Sequence, residues 1–527
     1  MKAKLFYGGP IITMDESMPN PEAVLVIGDT IAAVGKKQEL QEQATDAECI
    51  DLQGQALLPG FIDAHSHIVQ FSNTLQFARL NGVTSKEELQ KRLQEFVRTN
   101  EITPEQIVIG FGYDNNDLPK AEHPTRQWLD EALPGYLVMV CHASGHMGCV
   151  NTSLLEKMQI TSETPNPKGG RIGRDEQGQP TGYLEETAFT LPAANLLGEQ
   201  PEADVQALLQ KAQQMYFGYG ITTAQDGLMK QYEYEILDTA AKQGKLKLDV
   251  VGYADIREYA DLGKQHPEYC KTYKNHFKIG GYKLFLDGSP QGRTAWVTKP
   301  YLNGEEGYCG YPVYSDDEVC QFVDKAKQDD MQLLCHCNGD AAAAQFLQAH
   351  KEPSECRNVM IHAQLLRPDQ LPEVKEKKII PSFFVAHTWH WGDVHVKNFG
   401  QERAENISPV GDAVKLGIPF TFHMDSPVLP PDCIDSIYCA VNRITKAGKS
   451  LAAGQEISVY EALKGVTIYG AYQYHEEDEK GSITPGKKAD LVVLSEDPQA
   501  VEPMQLRRIQ VKQTYKDGDL VYSVDEI

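Results

Sequence analysis

The chain has 527 residues, of which 41% are hydrophobic and 24% are charged, so we expect a folded protein with more than one domain. It contains 50 Lys and Arg against 74 Asp and Glu, which gives a formal net charge of −24. A surface this acidic repels phosphate backbones and anionic lipids, which excludes nucleic acid and membrane surfaces as expected partners.

The start of the chain and the use of cysteine predict where the protein resides. Gly8, Gly9 and Pro10 interrupt the first apolar stretch, and no run of about twenty apolar residues occurs. The eleven cysteines are scattered without a CxxC pair, and some lie in apolar runs, as Cys335 and Cys337 do. This usage is typical of reduced thiols. We therefore expect a cytoplasmic protein, and the family resemblance given below implies that it acts on a small molecule.

Both ends of the chain contain short strand-like runs separated by turn residues. Residues 1–58 include LFYGGPIITMD, AVLVIGDTIAAVG and ECIDLQGQALLPG. The end includes ADLVVLSED and RIQVKQTYKDGDLVYS, the latter with an Asp-Gly turn. We predict that residues 1–58 and 476–527 pair into one composite β-sandwich domain.

The middle of the chain, residues 59–475, alternates strand-like and helix-like segments. This alternation predicts an α/β fold with parallel strands and crossover helices, arranged as a (β/α)8 TIM barrel. DEVCQFVDKAKQD, for example, has the apolar spacing of an amphipathic helix. The predicted barrel strands begin near Leu58, Ile221, Leu248, Gly281, Gln332, Val359, Ile379 and Ile418.

The interval between the first two predicted barrel strands is too long for one crossover. We predict an inserted subdomain over residues 84–201, with strands in QIVIGFGYD and YLVMVCHASGH and a loop over PNPKGGRIGRDEQGQPTG. Insertions at the C-terminal end of such a barrel commonly shape the substrate pocket.

The first predicted barrel strand ends in PGFIDAHSH, where His65 and His67 are two residues apart. Both side chains therefore lie on one strand face, where two imidazoles can bind one divalent metal ion. Taken alone, the pair fits two structural histidines on a half-buried strand better, whereas its position after an apolar run and a Pro-Gly favours a metal site.

Lys283 lies inside the apolar run GGYKLFLDGS, where a bare ammonium is costly to bury. Three explanations stay open from the residues alone, and the first is that the amine is neutral. Lys283 could form an ion pair with Asp287, four residues further along the same strand face. Its amine could instead be carboxylated and bridge two metal ions.

Three further runs end in residue types that bind metals. MQLLCHCNGD ends with His336, NVMIHAQ with His362, and IPFTFHMDSPV with Asp425. A carboxylate at the last position can bind a metal and accept a proton from water, although capping of the next helix is an alternative. His423 shares the strand face of Asp425 and is a competing ligand. The convergence of these residues at predicted strand ends favours a metal site.

These motifs resemble the amidohydrolase superfamily over nearly the whole chain. PGFIDAHSH is similar to the G-x-x-D-x-H-x-H signature, and GSITPGKKADLVVLSEDP is similar to the segment that returns to the small β-domain. YKLFLDGSPQGRTA, HCNGDAA and IHAQ resemble the YtcJ-like branch, also called amidohydrolase 3. The eighth strand departs from the Gly-Ser-Asp type of ending found in this branch, because it reads FHMDSPV here.

The resemblance implies a centre of two divalent metal ions, expected to be Zn²⁺, with a single ion as the alternative. Iron, manganese and nickel also occur in the superfamily. The implied ligands are His65, His67, Lys283, His336, His362 and Asp425. The first two would bind the more buried ion, and Lys283, in carboxylated form, would bridge to a second ion bound by His336 and His362. Asp425 would also bind the first ion and act as the catalytic acid and base.

Five further residues are predicted to contact the substrate. His146 in GHMGCVNTSLL and Glu186 in GYLEETA resemble pocket residues of the branch, with a turn histidine and a surface charge as their structural alternatives. Asp287 belongs to the same motif as Arg293, which could bind an anionic substrate group or a neighbouring carboxylate. Trp389, in FFVAHTWHWGDVH, could wall an apolar pocket or pack within a loop.

The implied reaction is hydrolysis of a carbon–nitrogen bond in a non-peptide amide, N-acyl or formamide group. Two ions about 3.5–4 Å apart hold a bridging water and lower its pKa toward neutrality. Deamination of a ring amidine and hydrolysis of an ester or lactone are alternatives on the same site. A non-catalytic regulatory homologue and a barrel of another superfamily are further alternatives. Dimers are common in the superfamily, so a homodimer is compatible with the sequence.

Overall fold

The computed structural model forms two compact units. It describes residues 3–145, 147–168, 170–198, 204–452 and 454–526. The barrel unit comprises Met1–Val69, Gln213–Ser426 and Pro431–Ile527. The insertion unit comprises Gln70–Ala212 and Pro427–Pro430.

The described part of the barrel unit contains an eight-stranded sheet in which all neighbouring strands are parallel. Its strands are β1 (Phe61–Ile62), β2 (Ile221–Met229), β3 (Asp249–Asp255), β4 (Phe277–Phe285), β5 (Gln332–Cys337), β6 (Val359–His362), β7 (Ile380–Phe383) and β8 (Thr421–Phe422). After β1, the backbone N–H of His67 donates to the carbonyl of Ser426, which follows β8, at 2.8 Å. The first and last strands therefore meet, and the sheet has the form of a TIM-like barrel.

The predicted first barrel strand divides at Gly60. Ala56–Pro59 pairs with Leu491–Leu494 in another sheet, and only Phe61–Ile62 joins the barrel. A Cβ at Gly60 would lie 2.5 Å from the side chain of Thr222, so glycine permits close passage beside β2. The predicted start near Leu58 thus falls in the preceding strand, and the barrel strand itself begins at Phe61.

The two chain ends form two four-stranded sheets in the barrel unit. In spatial order, the first sheet contains Thr30–Gly35, Ala23–Ile27, Ala3–Tyr7 and Glu48–Asp51. The second contains Asp519–Ser523, Val511–Lys516, Leu491–Leu494 and Ala56–Pro59. One apolar cluster combines side chains from both sheets, including Phe6, Val24, Leu57, Leu491 and Tyr515. The two ends of the chain share this core, while their description as a β-sandwich stays a prediction.

The predicted amphipathic helix before β5 is Asp316–Gln328. The Ser315 hydroxyl accepts from the backbone N–H of Glu318, and the Glu318 carboxylate accepts from the Ser315 N–H at 2.8 Å, which forms a capping box. The other α-helices of the barrel unit are Lys37–Gln43, Gln231–Lys242, Leu262–Gln265, Asp340–Ala349, Leu371–Glu376, His387–His390, Gly392–Phe399, Gln401–Glu405, Val410–Leu416, Cys433–Asn442, Val459–Gly465 and Ile468–Gln473. Its 3₁₀ helices are Pro368–Gln370, Pro503–Arg508 and Val524–Glu526.

The insertion unit is built on a six-stranded mixed sheet. The spatial order of its strands is Gly170–Arg174, Pro180–Glu186, Met147–Val150, Leu137–His142, Ile107–Tyr113 and Ala78–Arg79. The two strands predicted here are present. The predicted loop over residues 165–182 is wrong in part, because it contains one strand of a hairpin and the start of the other. Asp175 fixes the turn between them by accepting the N–H groups of Gln177 and Gln179.

The helices of the insertion unit lie between and after these strands along the chain. They are Lys86–Thr99, Asn115–Asp117, Pro119–Ala121, Arg126–Ala132, Thr152–Lys157 and Thr187–Gly198. The boundaries between the two units fall within two helices, Ile68–Thr74 and Val205–Gly218. In the part of the chain that the structure describes, no helix combines the length and hydrophobicity needed to cross a bilayer.

Candidate metal centre

Three side chains that follow β1 and β8 bring their ligand atoms together. Asp425 Oδ1 lies 3.3 Å from His65 Nε2 and 3.4 Å from His67 Nε2. One ligand atom from each residue falls within 4.8 Å of the other two. Asp425 Oδ1 is buried and has no hydrogen-bond partner of regular geometry among the described residues. A cation among these atoms would satisfy the orphaned carboxylate oxygen, so the donor set fits a divalent metal ion.

Gln225, in the middle of β2, determines which nitrogen of His65 carries a proton. His65 Nδ1 lies 2.6 Å from Gln225 Oε1, and Gln225 Nε2 donates to the carbonyl of Ala64 at 2.8 Å. Because the amide nitrogen is held by a carbonyl, the amide oxygen faces His65 and accepts from Nδ1–H. His65 Nε2 therefore presents its lone pair toward Asp425.

Lys283, in β4, is fully buried beside this group, with Nζ 3.1 Å from His65 Nε2. Burial lowers the pKa of its amine to about 8. Asp287 lies in the described chain but forms no ion pair with Lys283, because its carboxylate accepts three backbone N–H groups at 2.7–3.0 Å. The donors of these three bonds are Trp296, Asn338 and Gly339.

His336 in β5 and His362 at the end of β6 face each other, with 3.0 Å between His336 Nδ1 and His362 Nε2. On the other side of its ring, His336 Nε2 lies 3.1 Å from the carbonyl oxygen of Gly288. Asn338 Nδ2 also lies 3.0 Å from His336 Nε2 and donates to the same carbonyl at 2.8 Å. His362 has a φ of 70°, a left-handed conformation that is uncommon outside glycine and often found at functional sites. The two facing nitrogens suit a shared ion.

His423 lies behind His362. Its Nε2 is 3.1 Å from His362 Nδ1, and its Nδ1 is 2.9 Å from Ser382 Oγ. Burial lowers the pKa of His423 to about 3, so the ring is neutral at physiological pH. Both nitrogens thus contact protein groups, which is the arrangement of a residue that supports a ligand.

The six residues predicted as ligands lie in one continuous cluster in the structure. The ring centroids of His65 and His362 are 5.8 Å apart, which links the first group to the pair formed by His336 and His362. His65 is only 1% exposed, whereas the side chains of His67 and Asp425 are 14% and 16% exposed. The cluster is therefore open on the side of these two residues.

The carboxylate of Asp425 is charged in this setting. Burial alone would raise its pKa, but the neighbouring His67, His423 and Lys283 outweigh burial and hold the pKa below its ordinary value. Asp425 also has a φ of 54°, so its backbone is held in an uncommon conformation at the end of the strand. An anionic oxygen is thus available beside the two imidazoles.

Trp389, in helix His387–His390, packs against charged and aromatic side chains. The Arg507 guanidinium carbon lies 4.1 Å from the Trp389 ring centroid and 3.9 Å from that of Tyr438. Arg507 is itself held by the Asp435 carboxylate, with Nε 2.6 Å from Oδ1. The guanidinium thus stacks on the Trp389 ring, and a contact of Trp389 with substrate stays a prediction.

Three other residues are predicted to contact the substrate. His146 lies outside the described residues. Glu186 is exposed at the end of strand Pro180–Glu186 in the insertion unit. Arg293 is exposed and donates to the carbonyl of Asn303 at 2.6 Å. Their contacts with a substrate stay predictions.

Sequence reasoning missed the polar pair in β2. Asp226 is buried next to Gln225, accepts the N–H of Val69 at 3.1 Å, and forms a backbone bridge with His67. Burial raises the pKa of Asp226 to about 7. The signal was present in ITTAQDGLM, where Gln and Asp stand side by side in the middle of a buried strand.

The sequence model of the amidohydrolase family matches residues 48–522 of this chain. The chain belongs to the amidohydrolase family. This finding confirms the resemblance that the sequence motifs predicted.

Similar amidohydrolases cover the whole chain. The putative amidohydrolase YtcJ of Bacillus subtilis (strain 168) is 27% identical, over 99% of each chain. The N-substituted formamide deformylase of Arthrobacter pascens is 28% identical, over 99% of this chain and 98% of that protein. The crystal structure of an uncharacterized metal-dependent hydrolase from Pyrococcus horikoshii OT3 superposes with a TM-score of 0.76 at 25% identity, over 95% of this chain and 99% of that one. The chain is thus similar over nearly its full length to amidohydrolases in sequence and to a metal-dependent hydrolase in fold.

Proposed function

We propose that this amidohydrolase is a metal-dependent enzyme that hydrolyses a carbon–nitrogen bond in a non-peptide amide, N-acyl or formamide group. The observation that carries the proposal is the convergence of His65 Nε2, His67 Nε2 and Asp425 Oδ1 within 4.8 Å. The similarity to a formamide deformylase over the full chain supports this substrate class.

Two imidazoles and a carboxylate suit a borderline divalent ion, and we propose Zn²⁺. A carboxylated Lys283 would extend the site to a second ion held by His336 and His362, whose facing nitrogens are 3.0 Å apart. A bound divalent ion would supply Lewis acidity, by polarising the substrate carbonyl and lowering the pKa of water.

Asp425 is the proposed acid and base. Its pKa lies below the ordinary value and its side chain is 16% exposed, so an ionised oxygen can reach a water molecule at the open side of the cluster. Asp425 would accept the proton of the attacking water and later deliver it to the leaving nitrogen as the carbon–nitrogen bond breaks. The burial of His65 behind it keeps the ligand geometry fixed.

We also propose the domain division predicted from the sequence. Residues 1–58 and 476–527 would form one β-sandwich, and residues 59–475 would form the barrel with an insertion at 84–201. The core shared by Leu57 and Leu491 supports the first part. His146, Glu186, Asp287, Arg293 and Trp389 remain the proposed substrate contacts, and a cytoplasmic location and a homodimer remain predictions.

The test is a substrate screen on the metal-loaded protein. N-substituted formamides and N-acyl amines are compared with ring amidines, esters and lactones, and release of amine, ammonia or acid is measured. We expect amine release that stops when a chelator removes the metal. Release of ammonia from ring amidines, or turnover of esters alone, would replace the proposal with deamination or ester hydrolysis.

A further inference from the structure

Gln225 is a buried residue beside the proposed metal centre that belongs to no predicted ligand set. It is fully buried in β2 and contacts His65, the most buried of the proposed histidine ligands at β1. We propose that Gln225 is a positioning residue, which fixes the tautomer and ring orientation of His65 and so maintains affinity for the metal. This inference rests on the proposed function, because it assumes that His65 is a metal ligand.

The orientation of the Gln225 amide is determined by two acceptors. Its Nε2 donates to the Ala64 carbonyl at 2.8 Å and to the Tyr474 hydroxyl oxygen at 3.0 Å. The Tyr474 hydroxyl donates in turn to the carbonyl of Asp63 at 2.8 Å. Because Tyr474 uses its proton on that carbonyl, its oxygen is left to accept from Gln225. A rotated amide would direct its oxygen at the Ala64 carbonyl, so one orientation is imposed.

This fixed amide leaves a single acceptor for His65. Gln225 Oε1 lies 2.6 Å from His65 Nδ1, and both side chains are at most 1% exposed. Water therefore has no access to replace the amide oxygen, and an unpaired N–H at this depth would be unfavourable. The proton stays on Nδ1, and the Nε2 lone pair points at Lys283 Nζ and Asp425 Oδ1.

Loss of the amide oxygen would release this constraint. The His65 proton could then move to Nε2, the nitrogen that faces the proposed metal, and the ring could rotate. Groups that orient a ligating histidine in this way typically contribute about 10–100-fold to metal affinity. We therefore expect an effect of this size on metal binding when Gln225 loses its acceptor.

Gln473 provides a matched control. Its Nε2 donates to the same Ala64 carbonyl at 2.8 Å, and its Oε1 accepts from the Thr421 hydroxyl at 2.8 Å. Like Gln225 it is fully buried. No hydrogen bond joins Gln473 to His65, although both are fully described. Gln225→Leu and Gln473→Leu thus each remove one buried amide from the same carbonyl, but only the first removes a partner of His65.

The experiment measures the dissociation constant for Zn²⁺ by competition with a chromophoric chelator, on metal-stripped full-length protein at neutral pH. Melting temperatures without metal report any purely structural damage. We expect Gln225→Leu to weaken Zn²⁺ binding by about 10–100-fold relative to Gln473→Leu, at similar melting temperatures. Equal dissociation constants for the two variants would overturn the inference, whereas absence of Zn²⁺ binding by the unmodified protein would overturn the proposed metal centre itself.

Gln225→Glu supplies a second variant if the leucine variant does not fold. A buried, protonated glutamate keeps a carbonyl oxygen for His65 Nδ1–H and a hydroxyl donor for the Ala64 carbonyl. We expect its Zn²⁺ affinity to lie within a few-fold of the unmodified protein. A loss of Zn²⁺ affinity in Gln225→Glu well beyond a few-fold, at an unchanged melting temperature, would contradict a role for this carbonyl oxygen in positioning His65.

Discussion

Replacement of Lys283 by methionine tests whether the buried amine destabilises the metal-free protein. The amine is fully buried, and its pKa falls from 10.5 to about 8, a difference of 10.5 − 8 = 2.5. At about 1.4 kcal/mol per pKa unit, the charged form costs about 3 kcal/mol. Lys283→Met also removes the contact with His65 Nε2, worth about 1 kcal/mol. The variant should therefore be more stable by about 2 kcal/mol at pH 7.

The predicted gain depends on pH with a defined sign. Below pH 8 the amine is charged in both the folded and unfolded states, so the full penalty applies to the unmodified protein. Between pH 8 and 10.5 the folded amine loses its proton first, and the penalty disappears. The advantage of Lys283→Met should therefore decrease as the pH rises, and it should vanish near pH 10.

The assay is urea denaturation of chelator-treated protein in buffer free of carbon dioxide, at pH 7, 8, 9 and 10. Lys278→Met is the control, because Lys278 is a buried lysine on the same strand that forms an ion pair with Glu476. That variant should be destabilised at each pH, since it removes a partner from a buried carboxylate. A Lys283→Met variant no more stable than the unmodified protein at pH 7, or a difference that does not change with pH, would refute the reasoning.

Three further predictions concern the site and its support. Asp425→Asn should keep the melting temperature and lower turnover by about 10²–10⁴-fold, measured on the substrate found in the screen; unchanged turnover would remove Asp425 from the proton transfers. Zn²⁺ at about 100 times its dissociation constant should stabilise the stripped protein by about 3 kcal/mol in calorimetry, and no shift in melting temperature would contradict a metal centre. Gly339→Ala should destabilise the protein, because its Cβ would lie 1.7 Å from the carbonyl oxygen of Trp296; a melting temperature equal to that of the unmodified protein would show that the loop adapts.

The sequence predicted those parts of the site that local pattern determines. His65 and His67 share a face because strand periodicity requires it, and His336 and His362 end apolar runs that pair as neighbouring strands. By contrast, β4 begins at Phe277 and not near Gly281, because Lys278 is a buried charge that breaks the apolar pattern while Glu476 pairs with it from a distant helix end.

The role of Gln225 could not be predicted, because its partners come from distant parts of the chain. Periodicity places it on a strand, but its function depends on Ala64 in the first strand region and on Tyr474 after the last helix. The contact of Trp389 with Arg507 illustrates the same difficulty, because Arg507 comes from the distant C-terminal segment. Contacts of this kind depend on tertiary packing and cannot be predicted from local composition.

The hydrogen bonds from Gln473 and Tyr474 to the first strand region have a consequence for biosynthesis. Every proposed ligand, from His65 to Asp425, leaves the ribosome before Tyr474 does. A nascent or prematurely terminated chain can therefore carry every ligand and Gln225 while it still lacks the Tyr474 hydroxyl that helps to hold the Gln225 amide. Stop codons between Asp425 and Tyr474 should accordingly yield a protein that contains each ligand yet holds its metal weakly.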